Sequence, residues 1–154
     1  MAERGKKKPV GGPRSAARLG AVQALYQLEM SDEPKVPMVI EEYLRHRLGA
    51  EIEGDQYVEA DTALFSDIVA GAWGRHAEFD EAIIPCLAKD WSLERLESII
   101  RAILRAGAYE LTARPDVPTA VVINEYVDIA HAFYERTEAS FVNGVLDKVA
   151  KAVR

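Results

Sequence analysis

The 154-residue sequence has one cysteine and no long apolar segment. The single thiol, Cys86, cannot form an internal disulfide, so a fold without cross-links in a reducing compartment is indicated. No run of about 18 uncharged apolar residues is present, which argues against a membrane-spanning helix. The basic start of the chain lacks the apolar segment of a secretory signal, and an organellar transit peptide is a minor alternative. We therefore expect a cytoplasmic protein.

The residue patterns of metal sites and enzyme active sites are also missing. The three histidines lie far apart in sequence. Asp128 and Glu135 share a helical face with His131, but a solvated stripe of paired charges explains that pattern better than a metal site. Gly11-Gly12 lacks the Lys-Ser/Thr ending of a phosphate-binding loop, and no serine lies in a nucleophile elbow. The sequence predicts no cofactor, no metal ion and no enzymatic activity.

Charge is distributed unevenly along the chain. Residues 1–20 carry a net charge of +5 and the remaining residues carry −11, which gives −6 overall. Residues 1–12 combine basic side chains with three glycines and no apolar period, which predicts a flexible basic arm. A basic segment on an acidic domain is typical of a protein that binds an anion at one end. From charge alone, a solubilising tail is an equally good explanation.

Residues 13–154 show the apolar period of α-helices and form one predicted all-α domain. Seven helices are expected, over about 13–30, 36–48, 57–75, 79–87, 92–113, 118–134 and from 137 onward, with no strand. Pro13 suits a first helical turn, while Ser92 and Thr137 are candidate N-caps of the fifth and last helices. The most regular apolar stripe runs from Leu93 to Leu111.

Asn143-Gly144 gives a conflicting local signal, because this dipeptide between apolar pairs is typical of a β-hairpin turn. The apolar spacing over residues 138–152 follows the helical period, so we predict a helix there. A glycine inside a helix costs up to about 1 kcal/mol relative to alanine. We therefore expect another helix or a ligand to approach closely at Gly144.

Three segments of the chain carry a family resemblance when they are taken together. The first is residues 18–26 (RLGAVQALY), and the second is residues 105–111 (RAGAYEL), followed by 116–118 (DVP) and 123–125 (INE). The third is residues 140–148 (SFVNGVLDK). In this order and spacing they resemble the NusB family of transcription antitermination factors, over about residues 13–151.

The resemblance implies an all-α fold of two packed helical bundles and a non-catalytic function. A NusB-like protein is expected to pair with NusE, a ribosomal small-subunit protein that also acts in transcription. The pair is expected to bind the boxA segment of nascent ribosomal RNA transcripts and to join RNA polymerase with other Nus factors. A homodimer that covers the RNA-binding face of the free protein is also compatible with the family.

Nine side chains are candidates for RNA contact. Cationic residues near the start of the chain would bind phosphates through a mobile arm, and these are Lys6, Lys7, Lys8, Arg14 and Arg18. The resemblance adds Tyr26 and Phe141 as aromatic positions near RNA, and Lys89 as a position where relatives carry a basic residue. Lys148 lies one turn beyond Gly144. An exposed ring would stack on unpaired bases, but a place in the core is the alternative for both rings, above all for Phe141.

The chain departs from the family pattern at two places. Ser15 and Ala16 interrupt a segment in which relatives are often richer in arginine, and lysine lacks the planar guanidinium that grips phosphate through two hydrogen bonds. Thr137 stands where some relatives carry an acid near the surface that faces RNA and NusE.

Two other functions are compatible with parts of the sequence. The acidic domain would suit a protein-only adaptor that docks a basic ribosomal protein without touching RNA, and unchanged RNA binding after deletion of residues 1–12 would favour it. A NusB-like domain also precedes the catalytic domain of ribosomal RNA cytosine methyltransferases. Those proteins continue into a cofactor-binding α/β domain with catalytic cysteines, whereas this sequence contains one cysteine.

Overall fold

The computed structural model describes residues 12–48 and 60–154. Within these ranges there is no strand, and the seven α-helices are α1 (Pro13–Met30), α2 (Val36–Glu42), α3 (Thr62–Gly74), α4 (His76–Ile83), α5 (Ser98–Ala113), α6 (Thr119–Phe133) and α7 (Arg136–Val153). A π-helical segment (Tyr43–Arg47) continues α2, and 3₁₀ turns follow α4 (Ile84–Cys86) and precede α5 (Leu93–Arg95). The predicted all-α class and number of helices are confirmed. The predicted arm over residues 1–12, with Lys6, Lys7 and Lys8, lies outside the described residues apart from Gly12.

Helix α1 begins and ends where the sequence predicts. Pro13 occupies the first turn, where its missing N–H removes no helical hydrogen bond. Gly12 precedes it with a φ of 103°, a backbone conformation that favours glycine. The N–H of Asp61 donates to the Pro13 carbonyl at 3.0 Å and so ties the start of α1 to the start of α3. At the other end, Ser31 is extended and the chain leaves the helix.

Helix α5 lies at the centre of the molecule and packs against α1, α3, α4, α6 and α7. Its predicted apolar stripe is confirmed, since Ile100, Ile103, Leu104 and Leu111 are all buried. Helices α1 and α3 pack on each other and on α5, as do α6 and α7, and α1 also contacts α6. Apolar surface that is removed from water stabilises the fold by about 25 cal/mol per Å². Because both pairs of helices bury apolar surface against α5, this shared central helix joins them into one core.

Two predicted N-caps are wrong, and three helices begin at other residues than predicted, among them α4, which starts at His76 and not near Phe79. Ser92 does not cap α5, because the chain first makes the 3₁₀ turn and the helix begins only at Ser98. Thr137 does not cap α7, because Glu135 occupies that position and makes no side-chain cap. The third helix begins at Thr62, after Asp61, whose carboxylate accepts a hydrogen bond from the Leu64 N–H at 3.0 Å. Part of its predicted start, residues 57–59, lies outside the described residues.

Helix α7 runs through Asn143-Gly144, so the helix prediction there is confirmed over the hairpin. The expected close approach of another helix at Gly144 is wrong, because a Cβ built there would meet no described atom within 4 Å. A close approach occurs instead at Gly71, where a Cβ would lie 2.1 Å from the Tyr109 ring. Helix α3 therefore needs glycine at that point to pack against α5.

None of the helices in residues 12–48 and 60–154 combines the length and the apolar character needed to cross a membrane. In the same residues, no group of three or more histidine, cysteine or acidic side chains is arranged to hold a metal ion. The His131 side chain that shares a helical face with Asp128 is exposed, as is Asp128 itself.

Candidate nucleic-acid interface

Arg18 is buried in the core, which corrects its assignment as part of a mobile RNA-binding arm. Only 2% of the residue is exposed. Its Nε and Nη2 donate to the two carboxylate oxygens of Glu110 at 2.7 and 2.9 Å. Its Nη1 lies 3.3 Å from Oε1 of Glu125. Because all three guanidinium nitrogens face carboxylates inside the protein, Arg18 has no group left for an RNA phosphate.

Glu110 is the centre of this buried network. It is 0% exposed and also accepts a hydrogen bond from the Tyr126 hydroxyl at 2.8 Å. Burial alone would lower the pKa of the Arg18 guanidinium, but the hydrogen bonds and charge of Glu110 outweigh it and raise that pKa above its ordinary value. Burial and the Glu110 carboxylate raise the pKa of Tyr126 well above its ordinary value. The network joins α1, α5 and α6 through one guanidinium that is shared by the Glu110 and Glu125 carboxylates.

Arg14 is the one cation of the predicted arm whose side chain lies at the surface of the described structure. It occupies the first turn of α1, with 54% of its side chain exposed. The nearest carboxylate oxygen, on Asp61, lies 3.9 Å away, at the outer limit of an ion pair. An exposed pair of this kind is worth about 0–1 kcal/mol, so a phosphate would compete with it easily.

Tyr26 lies on the exposed face of α1, with 38% of the residue accessible. Tyr134, at the end of α6, donates from its hydroxyl to Oε1 of Glu97 at 2.8 Å. Burial and this hydrogen bond raise the pKa of Tyr134 above its ordinary value. Since the Tyr26 ring is neither enclosed nor hydrogen-bonded in the described structure, its face remains accessible to a planar ligand.

A second group of candidates lies on α7 and the turn packed against it. Phe141, Gly144 and Lys148 are spaced at three and four residues, which places them on one face of α7. Phe141 is half-buried against the core, whereas Gly144 and Lys148 are exposed. Lys89 is exposed shortly after the 3₁₀ turn that packs on α7. Among the described residues, no carboxylate pairs with either lysine.

Cys86 marks the point where these two elements meet. Burial raises the pKa of the Cys86 thiol, and the nearby Lys148 charge partly offsets that rise. The thiol donates a long hydrogen bond of 3.5 Å to the Ala82 carbonyl. Cys86 is thus a half-buried free thiol, and Lys148 lies near it at the junction of α7 and the 3₁₀ turn.

The structure thus separates the candidates into two groups. Arg14 and Tyr26 lie on α1, with twelve residues or about 18 Å of helix between them. Phe141 and Lys148 lie on α7. Lys89 follows shortly after the 3₁₀ turn (Ile84–Cys86) that contacts α7. No hydrogen bond or ring contact joins the two groups in the described part of the chain. An elongated ligand would be needed to reach both.

Sequence reasoning missed a groove of about 350 Å³ between α1, α4 and the start of α5. Its lining includes Glu29, Asp80, Trp91, Arg101 and Arg105. Both arginines are engaged, since Arg101 donates to Glu29 at 2.9 Å and Arg105 donates to Asp80 at 2.7 Å. Charged residues on the central apolar helix were the available signal, because such residues usually indicate buried or half-buried ion pairs.

Comparison with known families and proteins gives consistent matches over nearly the whole chain. The model of the NusB family matches residues 15–151. A relative from Novosphingobium aromaticivorans named Transcription antitermination protein NusB is 55% identical over 144 residues, which cover 94% of this chain and 97% of that protein. A relative of the same name from Caulobacter vibrioides is 51% identical over 142 residues, covering 92% of this chain and 95% of that protein.

Solved structures with the same fold include two that bear on function. A structure of NusB from T. maritima aligns with a TM-score of 0.75 at 30% identity, covering 90% of this chain and 91% of that one. A complex of the antitermination factors NusB and NusE with double-stranded RNA aligns with a TM-score of 0.73 at 25% identity. That alignment covers 90% of this chain and 96% of the matched chain.

Proposed function

The chain belongs to the NusB family of transcription antitermination proteins, and from this premise we propose that it binds RNA together with a NusE-type ribosomal protein. The RNA is the boxA segment of nascent ribosomal RNA transcripts, and the complex joins RNA polymerase with other Nus factors. This work takes place in the cytoplasm, where the transcript is made. The family consists of antitermination factors and not of enzymes, which confirms the prediction that the chain is not an enzyme.

The observation that carries the proposal is a set of exposed cations that have no close carboxylate partner, together with accessible aromatic rings. Lys89 and Lys148 have no carboxylate partner among the described residues, and Arg14 has only a distant one. The chain has a net charge of −6, so it contains more acids than cations. An exposed cation without a carboxylate partner is therefore unexpected. Each cation that neutralises a phosphate of a single strand releases counterions and adds about 0.7 to the salt-dependence slope.

The aromatic residues supply the second component of single-strand binding. Bases stack on exposed rings with a gain of about 1–3 kcal/mol each. Tyr26 has the exposure that this contact requires, and the half-buried Phe141 has a fixed ring beside the open surface at Gly144. A solved complex of NusB and NusE with RNA supports RNA and NusE as the partners to test.

The test is a titration of fluorescent boxA RNA and of a scrambled RNA of the same length and composition. Each is measured with and without purified NusE, at two salt concentrations. We expect tighter binding of boxA, further tightening with NusE, and a loss of affinity at the higher salt. Equal affinity for both RNAs in the presence of NusE would contradict the proposal.

The protein-only adaptor is a second candidate, favoured by the groove that contains Trp91. Beside this half-exposed ring, its three acids, Glu29, Asp80 and Glu94, outnumber its two arginines, which pair with Glu29 and Asp80. Such a surface suits a basic, partly apolar protein segment better than a phosphate backbone. Deletion of residues 1–12 distinguishes the two functions, because unchanged RNA affinity and salt dependence would favour the adaptor.

A further inference from the structure

Ser15 interrupts the segment in which relatives are often richer in arginine, and its side chain makes a long-range hydrogen bond. Its hydroxyl donates to Oε1 of Glu125 at 2.7 Å, across 110 residues of sequence. The same oxygen lies 3.3 Å from Nη1 of the buried Arg18. We propose that Ser15 and Glu125 are positioning residues, which fix the first turn of α1 and thereby hold Arg14 where RNA is bound. The inference rests on the function proposed above.

The first turn of α1 has few other restraints. Gly12, at the N-cap, makes no side-chain cap hydrogen bond, and the turn contains no acidic residue to interact with the helix dipole. The Pro13 carbonyl accepts one backbone hydrogen bond from Asp61, and Arg14 lies at the 3.9 Å limit from the same residue. Helix ends without caps open readily. Loss of the Ser15 hydroxyl would therefore leave this turn held by the Asp61 backbone hydrogen bond and by the helix that continues into the buried Ala17 and Arg18.

Glu125 is a rigid acceptor because its neighbours are rigid. It is held by Arg18, whose remaining nitrogens bind Glu110 in the core. Glu110 in turn accepts from the Tyr126 hydroxyl, so the network extends through α5 and α6. Ser15 thus ties the surface turn to the least mobile part of the fold. Arg14 directly precedes Ser15, so its backbone shares that restraint.

The Ser15–Glu125 hydrogen bond should act on RNA binding by positioning the first turn of α1, and not through its charge. The Ser15 hydroxyl brings no cation to RNA, and Glu125 would repel a phosphate if it acted directly. Replacement of Ser15 should therefore weaken RNA binding only by freeing the turn. We expect a loss of about threefold to tenfold in affinity, the range that corresponds to one net hydrogen bond.

The experiment compares Ser15→Ala with Ser15→Thr, which keeps the hydroxyl, and with Ser66→Ala as a matched control in helix α3. Ser66 is also half-buried in a helix and makes no side-chain hydrogen bond in the described structure. Each variant and the unmodified chain are titrated with fluorescent boxA RNA and NusE at two salt concentrations. Amide hydrogen exchange of residues 14–18 is measured in the absence of RNA.

We expect Ser15→Ala to exchange faster in the first turn, to bind RNA more weakly and to have a smaller salt slope, while Ser15→Thr and Ser66→Ala behave like the unmodified chain. Unchanged exchange in Ser15→Ala, or unchanged RNA affinity and slope despite faster exchange, would overturn the proposal. An equal loss of affinity in Ser66→Ala would also overturn it. If the unmodified chain shows no preference for boxA, the proposed function fails, and the exchange data alone then decide whether Ser15 orders the turn.

Discussion

Replacement of Arg18 by methionine tests the buried network directly. Methionine keeps much of the apolar volume but removes the guanidinium from Glu110, a carboxylate with no exposed surface. The Tyr126 hydroxyl then becomes its one remaining described partner. Removal of one member of a buried ion pair costs about 3–5 kcal/mol because the other charge is left uncompensated. For a chain of this size, that corresponds to a fall in Tm of about 6–20 °C.

The matched control is Arg14→Met, the same substitution one helical turn earlier. Because Arg14 is 54% exposed and has only a distant partner, its replacement should change stability by no more than about 0.5 kcal/mol. Urea denaturation of both variants at neutral pH gives the two free energies of unfolding. A double variant, Arg18→Met with Glu110→Gln, should recover part of the loss, since it no longer buries an unpaired charge. Arg18→Met with normal stability but impaired RNA binding would refute the argument and return Arg18 to the RNA-contacting group.

Three further predictions concern packing, stacking and ionisation. Gly71→Ala should destabilise the fold by about 1–3 kcal/mol because its Cβ would overlap the Tyr109 ring, whereas Gly144→Ala should raise stability by up to about 1 kcal/mol, and thermal unfolding of both checks this contrast. Tyr26→Ala should weaken boxA binding by about 1–3 kcal/mol while Tyr26→Phe retains it, and equal losses in an RNA titration would contradict stacking. Burial and the hydrogen bond to Asp67 raise the pKa of Tyr109 to about 12. The contribution of the protonated Tyr109 hydroxyl to the free energy of unfolding should therefore be complete below pH about 10 and lost between pH about 10 and 12. Ultraviolet titration of the tyrosines, together with denaturation at each pH, measures this loss.

Local periodicity was sufficient to predict the helices but not their starts. The stripe of α5 is a property of its own spacing, and its burial follows from that spacing alone. The position of its first turn depends instead on Arg101, whose guanidinium donates to the carbonyls of Leu93, Glu94 and Leu96. These contacts stabilise the 3₁₀ turn that replaces the predicted helical start at Ser92. Contacts of this kind arise only after the elements have packed.

Contacts between residues far apart in sequence also explain why Arg18 was wrongly assigned to the RNA-binding arm. A cation at the end of a basic segment is typical of phosphate binding, and the partner of Arg18, Glu110, lies 92 residues away. Glu110 falls on the apolar stripe of α5, which was the signal for a buried ion pair. The family could be identified from the sequence because its motifs are contiguous, whereas the state of each cation depends on distant partners.

The RNA-binding surface is located by photo-crosslinking thiouridine-labelled boxA RNA to the full chain with NusE, followed by mass spectrometry. We predict crosslinks at both groups of candidates, around Arg14 and Tyr26 on α1 and around Phe141 and Lys148 on α7. We predict none on the exposed face of α2 at Met38, and fewer crosslinks with scrambled RNA. Crosslinks confined to α2, or equal yields from both RNAs, would contradict this prediction.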